Sequence, residues 1–157
     1  TNSRSKEYFT SQFQDEGFRG IEIKDGILIN QRRYALELVL KCGLAESKPT
    51  STPLEQNHKL TSVEYYRQFD ITDDDELEDM RIYQSLIGRL LYLAMTRPYI
   101  SFAVQQLSQF MHALKRSHYN ATIHVVRYIK RQPGLGLLMS SKKSGELVPF
   151  VMLTGLH

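Results

Sequence analysis

Ile82, Leu86, Leu90 and Leu93 step along the chain by four, four and three residues, the spacing of an α-helix whose apolar stripe faces a core. Pro98 stops that helix and can open the next at its first turn, where its missing N–H costs nothing. Ile100, Ala103, Val104, Leu107 and Met111 then line a second stripe. Ser117 is placed to cap a third helix, with Ala121, Val125, Tyr128 and Ile129 inward. Arg127, Lys130 and Arg131 fall at its C-terminal end, where cations complement the helix dipole. Gly88 either lets a neighbouring backbone approach or is simply tolerated, and Gly134 and Gly136 end the helical region. A chain of 157 residues has room for such a three-helix unit and one further small unit.

Upstream, Gly20-Ile21-Glu22-Ile23, the turn Lys24-Asp25-Gly26 and Ile27-Leu28-Ile29 form a hairpin signal, because Asp-Gly accepts the positive φ of a two-residue turn. Asn30 can cap a helix to about Leu40, with Tyr34, Leu38 and Ala35, Val39 at i, i+4 and Gly43 at the left-handed C′ position. Arg32 and Arg33 fall on its first turn, where cations oppose the dipole and stay free to meet an anion; two ordinary solvated arginines are the alternative. Pro49 and Pro53 keep the next segment from being helical, and Asp70 to Asp79 holds seven acids. An EF-hand would need glycine at loop position six and glutamate at twelve, where Asp75 and Arg81 stand. A solvated, partly disordered loop is expected there. Leu147 to Leu153 could form one short strand. The fold class is α+β, mainly α. Its divisions are a β-hairpin with a helix over 1–43, a Pro/Ser/Thr-rich and acidic linker over 44–80, a helical region over 81–139 and a segment with one short strand over 140–157.

Charge divides the chain as sharply as pattern does. Residues 1–80 carry 10 Lys/Arg against 16 Asp/Glu, whereas residues 81–157 carry 10 against the single Glu146. Such asymmetry points to a polyanionic partner, or to neutralisation of the basic half by the acidic one within a single fold. The lone Cys42 excludes an internal disulfide and favours a reducing compartment. No apolar run is long enough to span a membrane, and no signal-peptide core follows the polar N-terminus. A cytoplasmic or nuclear, non-secreted protein is expected. No Walker loop, nucleophile elbow or His-Glu-x-x-His helix is present, and Gly134-Leu135-Gly136 lacks the third glycine of a dinucleotide fingerprint. The five histidines never adopt a zinc-ligand spacing, and each is expected as a surface or hydrogen-bonding residue.

Tyr83-Gln84-Ser85-Leu86-Ile87-Gly88-Arg89-Leu90-Leu91-Tyr92-Leu93, Thr96-Arg97-Pro98 and Ile100-Ser101-Phe102-Ala103-Val104, in that order, closely resemble the Pol polyprotein of Ty1/copia-type retrotransposons. Gln31-Arg32-Arg33-Tyr34-Ala35 and Thr52-Pro53-Leu54-Glu55 upstream fit the same pattern, as do Leu107-Ser108-Gln109-Phe110-Met111 and Arg127-Tyr128-Ile129-Lys130 downstream. The resemblance runs from about residue 18 to 148. It implies that Phe18 to Ile23 is the palm-edge strand of a primer grip, that Gln31 to Leu40 begins the thumb, and that 81–139 connects to RNase H. This sequence departs from the family at Arg19, Tyr99 (an aspartate follows Thr-Arg-Pro in the family), His124 and Arg131. The polymerase Tyr-x-Asp-Asp motif is missing, and Val148 to Thr154 lacks the RNase H carboxylates. The resemblance therefore implies a truncated copy, inactive alone, with no catalytic residue, no metal site and no cofactor, since the ligands of the parent's Mg²⁺ are absent.

Three outcomes are in play. The preferred one is a fragment of a copia-type reverse transcriptase that binds RNA or DNA template–primer without sequence preference. Phe18, Gly20, Arg32 and Arg33 would carry that contact, with Lys115, Arg116, Arg127 and Lys130 as a second patch. The second is a protein-interaction module that self-associates or packs on other polymerase domains through stripes left partly exposed at 82–93 and 100–111. The third is a translated remnant with no selected role.

Overall fold

The computed structural model describes residues 17–24, 26–55, 60–69, 74–140 and 150–152. Strand β1 (Arg19–Ile23) pairs antiparallel with β2 (Gly26–Asn30), Ile23 lying opposite Gly26. The two-residue connection is therefore Lys24 and position 25, one step earlier than the Asp-Gly pair suggests, and position 25 itself lies outside the described residues. A third strand, β3 (Gly136–Ser140), runs antiparallel along β2 with Asn30 opposite Gly136. The short β4 (Phe150–Met152) closes the order β1-β2-β3-β4. Sequence pattern ended the helical region at Gly136 and saw no strand there. The run Leu137-Leu138-Met139 has no alternation to betray it, since its partner is 110 residues upstream. Glycine at 136 has a steric reason: any Cβ would press into the Ile29 carbonyl and the Asn30 side chain.

Helix α1 (Arg32–Lys41) starts where expected, although Gln31 is its N-cap and Asn30 reaches over it, its Oδ1 accepting the Arg32 N–H at 3.2 Å. Gly43 takes φ 67° just past the end, the left-handed stop that a side chain would resist. Inside the expected linker, Ser62 caps a short helix α2 (Val63–Gln68) by accepting from the Tyr65 N–H. Helix α3 (Met80–Ala94) is capped by Asp79, and a 3₁₀ turn at Pro98–Ile100 leads into α4 (Ser101–Ser108). Helix α5 (Arg116–Arg131) follows.

The two stripes form the core instead of being left exposed. Leu86, Leu90, Leu93, Ile100, Ala103, Val104 and Leu107 are buried against Ala35, Leu38 and Val39 of α1 and Ala121, Val125, Val126 and Ile129 of α5. Ile82 is the exception, being exposed. Its neighbour Tyr83 enters the core and donates its hydroxyl to the Leu107 carbonyl at 2.6 Å. Met111 falls beyond the end of α4 and is half-buried. Gly88 has open space around it, so it is tolerated and mediates no close packing. The architecture is α+β and mainly helical, an antiparallel sheet beside a helical core. Among the described residues no helix is long and apolar enough to cross a membrane.

The acidic segment departs most from expectation. Residues 70–73 lie outside the described residues; in the rest the side chains of Asp75, Glu76, Glu78 and Asp79 are solvated as expected, but the backbone is docked. Leu77 N–H donates to Leu114 O at 2.8 Å, and Arg116 N–H donates to Asp75 O at 2.9 Å. The segment thus runs alongside the start of α5, with Leu54, Leu60 and Leu77 packed on the core edge.

Candidate nucleic-acid interface

Arg19 lies opposite Asn30 in the hairpin register, and two residues later the chain enters α1. The pairing therefore gathers three exposed cations, Arg19, Arg32 and Arg33, at one junction. Buried Gln31 fixes that junction, its Oε1 accepting from the Thr96 hydroxyl at 2.7 Å. No acid occupies the first turn of α1, so the helix dipole adds to the positive potential. Arg33 Nε lies 3.0 Å from Glu37, but the arginine side chain is 91% exposed. An i, i+4 pair in water contributes only about 0.3–0.5 kcal/mol, so a phosphate can compete for it. Phe18 is not presented to a ligand: it is buried, its ring 5.2 Å from that of Tyr92, which in turn meets Tyr34 at 4.9 Å. It holds the hairpin against the helices. Gly20 lies within the strand ladder, opposite Ile29.

The expected second patch is largely taken apart by the fold. Lys115 is 1% exposed, its Nζ 3.2 Å from Asp74 Oδ2 and 3.2 Å from the Thr61 hydroxyl. Arg127 Nε donates to Lys48 O at 2.8 Å, and Lys130 Nζ donates to the carbonyls of Leu44, Ala45 and Ser47 at 3.0, 2.5 and 2.5 Å. The chain leaving α1 brings three carbonyls within reach of one point, that of Leu44 also accepting the Ser47 N–H at 3.1 Å, and a three-donor ammonium matches them. Of the four residues only Arg116 is exposed.

Around Lys115 lies a polar cluster that charge counting did not reveal. Asp74 accepts from the Ser117 N–H at 3.0 Å and from its hydroxyl at 2.5 Å. Burial works to raise the Asp74 carboxyl, yet the bonds from Ser117 and Lys115 outweigh it and hold the group below its usual range. The capping role assigned to Ser117 thus belongs elsewhere. Lys115 stands at the N-cap, and a carboxylate from 43 residues upstream supplies the acceptor. His118 Nδ1 accepts from the Lys115 N–H at 3.1 Å, so Nε2 carries the proton and faces Thr61 O at 2.8 Å. The ring stacks on Phe110 at 3.8 Å, and burial pushes its pKa down. His118 is a neutral packing residue, and His124 Nε2 likewise bonds Thr52 O at 2.9 Å. No group of three or more His, Cys, Asp or Glu among the described residues could hold a metal ion.

Comparison with known proteins gives a consistent result. The chain is 37% identical over 133 residues to the retrovirus-related Pol polyprotein from transposon RE2 of Arabidopsis thaliana, a match covering 83% of this chain and 8% of that protein. Against the corresponding polyprotein from transposon RE1 of the same plant it is 38% identical over 133 residues, with the same coverage of each. An uncharacterized mitochondrial protein of Arabidopsis thaliana is 32% identical over 118 residues, or 72% of this chain and 44% of that protein. The chain thus spans under a tenth of the length of the two Pol polyproteins. No family model matches the sequence, and no solved structure matches it.

Proposed function

The chain belongs to the copia-type retrotransposon Pol polyproteins, and from that premise we propose that it is a non-catalytic segment of their reverse transcriptase that contacts template–primer nucleic acid without reading its sequence. The observation that carries this is the convergence of Arg19, Arg32 and Arg33 at the β2–α1 junction, on a helix start with no acid in its first turn. Cations so placed meet phosphates and ignore bases, as a polymerase must. In this proposal residues 1–43 are a primer-grip-like hairpin and thumb start, 44–80 a linker, 81–139 the connection toward RNase H and 140–157 that domain's first strand. The setting would be the cytoplasm or nucleus.

Fluorescence anisotropy of a labelled RNA–DNA duplex against salt tests the proposal. Three phosphate contacts give a slope of log affinity against log salt of about −3, with dissociation constants in the micromolar range at low salt. The double variant Arg32→Ala/Arg33→Ala should reduce the slope by about two. No binding at ~50 mM salt, or binding unchanged in the double variant, overturns the proposal.

A second reading has its own observation. Leu40, Met95 and Phe102 are 65%, 61% and 69% exposed, more apolar surface than helix ends need, which suits packing against other polymerase domains or self-association. Size-exclusion chromatography separates the two, since a stable homodimer indifferent to nucleic acid favours the second.

A further inference from the structure

We propose that the chain holds a phosphate-sized oxyanion in a cavity at the C-terminal end of α5, walled by Arg97, Tyr99, Tyr128, Arg131 and Gln132. The first observation is a buried charge without a counter-charge. Arg97 is 1% exposed, and its terminal nitrogens donate to Gln132 O at 2.8 Å and Pro133 O at 2.6 Å. Its Nε is buried with no partner, and no carboxylate among the described residues pairs with the guanidinium. Buried cations are ordinarily paired. The carbonyl end of α5 supplies the equivalent of only about half a negative charge. Arg131, on the last turn of the same helix, lines the same cavity and adds a second positive charge.

The cavity's shape and lining select the ligand. Its volume of about 210 Å³ is below the ~300 Å³ at which pockets for drug-sized ligands begin, so the occupant is compact. Two guanidinium-bearing residues exclude a cation. Tyr99 and Tyr128 meet edge to face, with ring centres 5.9 Å apart. Burial pushes the Tyr99 hydroxyl up, so it stays protonated and can donate. Guanidinium groups and phenol hydroxyls around a small polar space match a tetrahedral oxyanion. Inorganic phosphate and a phosphate of a nucleic-acid strand share that chemistry. The site is separate from the α1 junction and requires nothing of the reading given there.

The test uses the whole chain. Thermal unfolding and titration calorimetry are run with inorganic phosphate against chloride at matched ionic strength, then with a short oligonucleotide with and without a 5′-phosphate. Saturable phosphate binding is expected. Tyr99→Asp, which places a carboxylate in the cavity, should abolish it, and Arg131→Gln should weaken it about tenfold. Arg116→Gln, at the opposite end of α5, and Arg32→Ala/Arg33→Ala should leave it unchanged. Preference for the 5′-phosphorylated strand supports a strand phosphate as the ligand, and binding of inorganic phosphate alone supports the free ion. No saturable response to any of these probes overturns the site, as does phosphate affinity unchanged in Arg131→Gln. Arg131 is exposed, so that variant tests the idea even if Tyr99→Asp fails to fold.

Discussion

Cutting Asp74 back to alanine removes the carboxylate 3.2 Å from Lys115 Nζ and the acceptor of two bonds from Ser117. The Lys115 ammonium is then left buried without its carboxylate counter-charge. Breaking a buried ion pair costs about 3–5 kcal/mol. The Asp74 side chain retains 11% exposure, so water can enter after truncation and the lower figure, about 3 kcal/mol, applies. Loss of the capping acceptor on α5 adds about 1 kcal/mol. For a chain of this length each kcal/mol moves Tm by about 2–4 °C, so the total of about 4 kcal/mol predicts a fall of roughly 8–16 °C. Thermal unfolding followed by far-UV circular dichroism measures that fall, and urea unfolding measures the same free-energy loss as a shift in midpoint at constant slope. Lys115→Met should cost less, because Asp74 keeps its Ser117 bonds. Adding it to Asp74→Ala should recover at least ~1 kcal/mol, since no ammonium is then stranded. A loss under ~1 kcal/mol in Asp74→Ala, or no recovery in the double variant, would refute the docking of the acidic segment.

Burial holds the folded pKa of His118 below its ordinary 6.5, so the unfolded chain binds the extra proton as pH falls below that value. Stability should be full above pH 6.5 and decline as pH drops toward the folded pKa, a slope that His118→Gln flattens in urea midpoints taken across the range. The depressed Asp74 carboxyl acts lower down: its contribution persists above 3.8 and is lost as pH falls through the folded value. Tyr83→Phe should cost about 1 kcal/mol by removing the hydroxyl bond to the Leu107 carbonyl, which keeps the Phe110 N–H at 3.2 Å, with far-UV dichroism unchanged at 25 °C. Gly88→Ala should stabilise the protein by about 1 kcal/mol, being a solvated mid-helix glycine with open space around it. Gly136→Ala should instead lose amide-exchange protection along β2 and β3, and equal effects from the two substitutions would contradict the packing described.

What the sequence disclosed was local. The four-and-three spacing of Leu86, Leu90 and Leu93 and the Asp-Gly hairpin need only their neighbours to be understood. The same holds for the left-handed stop at Gly43, whose φ is 67°. What it concealed was long-range. The pairing of β3 with β2, the capping of α5 by Asp74 and the coordination of the 44–47 carbonyls by Lys130 join residues 43 to over 100 positions apart. None leaves a periodicity. At the candidate interface Arg32 and Arg33 were legible because a helix start lacking acids is a local signature. Arg19 was not, since only the strand register brings it beside them.

The basic surplus of residues 81–157 also takes on a different meaning. It pointed toward an outside polyanion, yet much of it is spent on the chain's own backbone and one internal acid. Lys115 pairs with Asp74, while Arg97, Arg127 and Lys130 bond carbonyls of the segments that follow α5 and α1. Such bonds hold elements together without requiring an acid in register, which is how one half can carry a single glutamate and still pack as a core. A surface that binds nucleic acid must then be sought where cations lack such partners. Among the described residues these places include the β2–α1 junction, where the exposed Arg33 has a solvent-screened pair with Glu37, and the ends of α5 at Arg116 and Arg131. The two ends of that 16-residue helix lie roughly 22 Å apart at ~1.5 Å per residue, too far to act as one patch. If binding rests on the β2–α1 junction, the salt slope is near −3, whereas engagement of the whole basic half gives about −8, and that measurement separates the two pictures.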